Sequence, residues 1–117
     1  MALYLGIDIG TSASKGVLID DRCNIVCQAS CGHETDNPCD GWYQHDAEAV
    51  WWGDFCRLSR ELVARSGVNA AQIGCVGLSA LGCDCVPVDT ECNALAPAIL
   101  YGVDARSKPQ IDELLSE

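Results

Sequence analysis

Two apolar runs with a five-residue connection between them constrain this chain more than any other feature. Residues 3–9 and 15–20 read as strands, and the small residues at 10–14 leave no room for a crossover. A third run, residues 25–30, follows a turn made by Asp21, Arg22 and Asn24. Strands joined this tightly pair antiparallel, so the chain is expected to open with a three-stranded antiparallel meander.

After a polar loop holding Pro38 and Gly41, Asp46 has the chemistry of a helix N-cap and Glu48 that of a first-turn acid. A helix is expected from there to Ser66, stopped by Gly67. Trp51, Phe55, Leu58 and Leu62 follow at spacings of four, three and four, which makes one apolar face for packing on a sheet. Asp54, Arg57, Arg60 and Glu61 are expected mostly off that face. Residues 73–79 read as a buried strand, 85–88 as another, 89–93 as a turn, and 97–101 as a further strand or extended segment. A final helix is expected over 107–115. No internal repeat is evident. Three strands, a helix and a further strand fit an α/β domain with a mixed sheet; a doubly wound sheet would place a helix after the first strand.

The chain has 117 residues, enough for one core, and an ordinary globular balance of apolar and charged residues. Its net charge of −10 argues against nucleic acid and anionic membrane surfaces as partners. A phosphate ligand would have to be held locally, by backbone N–H groups and one or two cations. The apolar run that ends at Asp8 has no basic lead-in, so no secretion leader is expected and the cytoplasm is the expected location. Nine cysteines without any C-x-x-C are read as small buried hydrophobes in a reducing compartment. Cys23, Cys27 and Cys31, spaced by four, are placed on one face of a strand. With Cys39, His33 and His45 they are the only candidates for zinc, and they lack its usual ligand spacing.

The strongest chemical signal is the segment from Gly6 to Gly16. Asp8 lies inside an apolar strand, where a carboxylate needs a partner, and water-bound magnesium beside phosphates is a natural one. Gly10 allows close backbone approach. Thr11, Ser12 and Ser14 offer hydroxyls and N–H donors in a tight turn, and Lys15 adds a cation. The segment is neither a P-loop nor a G-x-G-x-x-G turn. The alternative is plain hairpin chemistry, which gives no reason for an acid in the preceding strand.

This segment resembles the first phosphate motif of the actin-like ATPase superfamily, which includes actin, heat-shock chaperones, hexokinases and the FGGY sugar kinases. Two later stretches resemble the FGGY carbohydrate kinases in particular. One is Gly41-Trp42-Tyr43-Gln44-His45-Asp46-Ala47-Glu48 with Trp51 and Trp52. The other comprises residues 73–79 and 86–89, then 96–106. The resemblance is xylulokinase-like and covers nearly the whole chain. It implies a ribonuclease-H-like fold, present incompletely as the N-terminal part of the first of two domains, with the second domain absent. It implies ATP and Mg2+ as cofactors and transfer of the γ-phosphoryl group to a sugar or polyol hydroxyl. By the same resemblance Gly10, Thr11, Ser12 and Lys15 bind ATP phosphates, and Asp8 holds the metal through water.

Where xylulokinases show Gly-Gln-Met-His, this chain has Ala80-Leu81-Gly82-Cys83 and then Asp84. Cys83 and Asp84 are therefore substrate-side candidates, Asp84 either replacing a lost polar contact or standing as a solvated loop acid. Asp104 and Arg106 either line the sugar or form a surface ion pair. The family's catalytic base lies beyond Glu117, so these residues alone are expected to be inactive. Family analogy suggests a homodimer. A non-catalytic nucleotide-binding or interaction module is the alternative function, and a cysteine-based metal or redox protein a third.

Overall fold

The computed structural model describes residues 1–117, which divide into two compact units. The first comprises Met1–Glu34 and Glu48–Leu81, the second Thr35–Ala47 and Gly82–Glu117.

The first unit is a mixed α/β layer. Strands β1 (Leu3–Ile9), β2 (Ala13–Asp20), β3 (Ile25–Gly32) and β5 (Ile73–Ser79) form one sheet in the order β3-β2-β1-β5. β1 pairs antiparallel with β2, and β2 with β3, while β5 runs parallel to β1. The strand period of two sends Leu3, Leu5, Ile7 and Ile9 to one face, where they are buried with Leu18.

Helix α1 (Gly53–Ser66) covers that face, resting mainly on β3 and β2. The expected stripe holds: Leu58 and Leu62 are fully buried, and Trp51 and Phe55 pack against the same core. Burying each leucine contributes roughly 1.5–3 kcal/mol. Gly16 lets the helix approach closely, since a Cβ there would come 2.8 Å from Leu62 Cδ1. Gly67 ends the helix in the left-handed conformation, φ 68°, and its N–H donates to Val63 O.

The helix does not begin as an α-helix from an Asp46 cap. Ala47–Trp52 forms a wide π-helical segment, within which Trp51 stays packed while Trp52 stacks on Phe55 with ring centroids 5.3 Å apart. Asp54 is also not off the buried face. It is 2% exposed, because it lies four residues before Leu58 and eight before Leu62 and so continues their row.

β5 spans the expected residues but is not a buried strand. Its only sheet neighbour is β1, and nothing in this unit covers it. Val76 and Leu78 are 50% and 64% exposed, although their partners Leu5 and Ile7 are buried.

The second unit holds a two-stranded antiparallel ribbon, β4 (Gln44–His45) with β6 (Ala98–Ile99), and helix α2 (Lys108–Leu115). The strand expected at 85–88 is reduced to isolated bridges, Cys85 to Ile99 and Val88 to Ala94. Ala98 and Leu100 are its buried apolar residues.

The cysteines are not buried hydrophobes. All nine are free thiols; Cys27, Cys31 and Cys56 are partly covered and the other six are exposed. Cys23, Cys83 and Cys92 lie at left-handed backbone positions, and Cys75 is on the open strand β5. Only Cys27 and Cys31 of the spaced trio are in β3, because Cys23 belongs to the preceding turn. No group of three or more His, Cys, Asp or Glu residues is placed to hold a metal ion.

Candidate functional site

The loop between β1 and β2 is built by strand alternation. Asp8 pairs with Lys15 across the hairpin and with Ser79 on β5, and all three side chains are exposed. They stand on the sheet face opposite α1, at the carboxyl ends of the parallel strands β1 and β5. An open hollow of about 890 Å³ lies over this part of the first unit, with Gly6, Asp8, Lys15, Val17, Gly77 and Ser79 among its lining residues.

Gly10 closes the turn. Its N–H donates to Ala13 O at 3.0 Å, and a Cβ at this position would come 2.9 Å from the same oxygen. Any other residue would therefore have to open the loop. Thr11 and Ser12 are exposed at its tip. Ser14 is not available as a phosphate hydroxyl. One step out of phase with Lys15, it points under the helix, is fully buried, and donates to Asp54 Oδ2 at 2.7 Å.

Asp54 forms a polar group inside the core that sequence reasoning missed. His33 Nδ1 lies 2.8 Å from Asp54 Oδ2, and His33 Nε2 lies 2.9 Å from Gly10 O. Burial alone would raise the Asp54 carboxyl pKa. Hydrogen bonds from Ser14, His33 and Cys31, with the charge of His33, outweigh burial and hold it below its ordinary value. Cys31 is pushed up, by burial first and by Asp54 second. The signal that could have exposed Asp54 is its spacing of four from Leu58; His33 carries no such signal.

The substrate-side candidates all belong to the second unit. Asp84 accepts from the Tyr101 N–H at 2.7 Å through Oδ1, while Oδ2 is buried without a hydrogen-bond partner. Cys83 is exposed beside it. Asp104 and Arg106 are not a surface ion pair, since their side chains are 4% and 19% exposed. Asp104 accepts from the N–H groups of Tyr43, at 2.7 Å, and Arg106, at 3.0 Å, and from the Arg106 guanidinium at 2.8 Å. These bonds, the Arg106 side chain foremost and against the effect of burial, hold its carboxyl down at about 2. Arg106 also donates to Gln44 Oε1 at 3.2 Å and lies over the Trp42 ring, 4.2 Å from its centroid.

In comparisons with known proteins, residues 3–117 match the model of the FGGY family of carbohydrate kinases, N-terminal domain. A glycerol kinase from Trichormus variabilis is 29% identical over 111 residues, which are 94% of this chain and 22% of that protein. The crystal structure of a xyloylose kinase from Brucella ovis superposes with a TM-score of 0.85 at 33% identity, covering 96% of this chain and 23% of that one. That of Plasmodium falciparum glycerol kinase with ADP gives 0.83 at 25% identity, covering 100% of this chain and 23% of that one. The chain thus spans less than a quarter of the length of each of these relatives.

Proposed function

The chain belongs to the FGGY family of carbohydrate kinases, and from that premise we propose that it is the N-terminal, phosphate-binding portion of an ATP-dependent kinase acting on a sugar or polyol hydroxyl. The observation that carries this reading is the open cluster at the β1–β2 loop. Asp8, Lys15 and Ser79 share one exposed face around the tight Gly10 turn. An exposed carboxylate next to a cation and a hydroxyl-rich turn fits a magnesium–phosphate group, so the residues present agree with the expected cofactors.

In this reading Gly10, Thr11, Ser12 and Lys15 receive the nucleotide phosphates, and Asp8 holds Mg2+ through water. The bound ion would supply neutralisation of phosphate charge. The protein's own share is positioning: the hairpin keeps Asp8 and Lys15 side by side, with opposite charges toward the metal and the phosphate. The ADP in the Plasmodium falciparum relative supports a nucleotide ligand for the family.

Asp84 is the candidate for substrate contact, with Cys83 beside it. Its buried Oδ2 lacks a donor, an arrangement that costs about 1–3 kcal/mol and that a substrate hydroxyl would relieve. Asp104 and Arg106 are assigned to framing this region, since their bonds are taken up by Tyr43, Gln44 and Trp42. The chain alone is expected to show no turnover, since none of its residues is assigned as the base that would take the proton from the acceptor hydroxyl.

The test is a titration of the isotope-labelled chain with Mg-ATP, followed by amide resonances. Shifts should concentrate at residues 8–15, and Asp8→Ala should weaken binding by about tenfold, as expected for removal of a metal-linked contact. Saturating Mg-ATP that leaves residues 8–15 unmoved would defeat the assignment.

A further inference from the structure

The proposed phosphate chemistry makes no use of the polar group beneath the loop, yet that group touches the loop at three points. Ser14 Oγ donates to Asp54 Oδ2 at 2.7 Å, the His33 ring reaches Gly10 O at 2.9 Å, and the His33 backbone N–H donates to Ser12 O at 3.0 Å. The ring itself is tied to helix α1 by Asp54 at 2.8 Å. One histidine therefore grips two loop carbonyls while a buried carboxylate on the helix holds its ring.

We propose that Asp54 and His33 are positioning residues that set the conformation of the β1–β2 loop from the helix side. Their effect on phosphate affinity rests on the phosphate-loop reading above. Hydrogen-bond complementarity specifies how they act. A carbonyl oxygen only accepts, so Nε2 carries a hydrogen toward Gly10; an ionised carboxylate only accepts, so Nδ1 carries one toward Asp54. A doubly protonated ring satisfies both acceptors at once, as a charge-assisted bridge. A trans peptide points its C=O and N–H in opposite directions, and the chain has no cis bonds. Fixing Gly10 O toward His33 thus turns the Thr11 N–H away from the helix side. Ser14 from β2 and Cys31 from β3 face the same carboxylate, and Arg57 and Glu61 on α1 act on Cys31 at longer range. The helix is thereby coupled to the loop through polar bonds as well as through packing.

Three measurements on the full chain test this. In the wild type, ring nitrogen resonances of His33 should show hydrogen on both Nδ1 and Nε2, and Asp54→Asn should abolish that signature. Amide hydrogen exchange at residues 10–14 should quicken in Asp54→Asn and in His33→Gln by about tenfold relative to β3, the factor for loss of one charge-assisted bond. Mg-pyrophosphate, used as the probe, should bind both variants more weakly by a similar factor.

Loop exchange unchanged in either folded variant, or a wild-type ring with a single N–H, would overturn the proposal. If Asp54→Asn does not fold, the wild-type ring spectrum and His33→Gln decide. If the wild type binds no pyrophosphate while loop exchange still depends on both residues, the phosphate reading fails and the positioning role stands.

Discussion

Cysteine occupies three backbone positions that normally favour glycine: Cys23, Cys83 and Cys92, at φ 63°, 63° and 65°. Two of them belong to the same five-residue device. In Asp20-x-x-Cys23-Asn24 the aspartate accepts from the N–H groups of Arg22 and Asn24 and from Asn24 Nδ2. In Asp89-x-x-Cys92-Asn93 it accepts in the same way from Glu91 and Asn93. These bonds, not the cysteine, hold each turn, so the left-handed cysteine is carried as strain. Cys23→Gly and Cys92→Gly should each stabilise the fold by about 1 kcal/mol, less whatever glycine adds to unfolded-chain entropy. Urea denaturation checks this, and a loss of stability in both variants would refute it. The sequence located both turns from their Asp and Asn residues. The sign of φ was hidden because cysteine is not an ordinary left-handed residue.

At the scale of elements, local sequence marks the Gly67 end of helix α1 and both ends of strand β5, but neither the π-helical start of the helix nor the surroundings of either element. The apolar period marks the helix stripe, and Asp54, polar in type, shares the buried row with Leu58 and Leu62 by its spacing of four. The pattern of β5 is that of a strand covered on both faces, yet only β1 adjoins it. Val76 and Leu78 thus leave an apolar strip on an unpaired edge, an arrangement that invites association. The chain should self-associate with rising concentration, and Leu78→Lys should shift it toward monomer by sedimentation velocity. A wild-type chain that stays monomeric at millimolar concentration would show that the strip is harmless.

For the molecule as a whole, the net charge of −10 means that acid relieves repulsion before it harms structure. The harm comes from carboxylates that are ionised and bonded when folded. Asp104, held at about 2 against an ordinary 3.8, contributes in full above pH 3.8, and its contribution is lost as pH falls toward about 2. Asp54, also depressed, acts with the same sign in the first unit. Asp104→Asn should therefore flatten the acid limb between about pH 4 and pH 2 in the indole N–H signal of Trp42, which Arg106 covers. An unaltered limb would assign acid unfolding to other groups.

The strands at Leu3–Ile9 and Ile73–Ser79, the helix stripe and the tight turn at Gly10 can be read from neighbouring residues, since strand period, helix period and turn chemistry act over a few residues. Tertiary structure decided which polar groups those elements meet. The strand period turned Ser14 under the helix and left Lys15 outside. Only the packed chain brought His33 to Asp54 across 21 residues and Tyr43 to Asp104 across 61. Such pairings depend on how elements lie against one another, and no local period in the sequence encodes that.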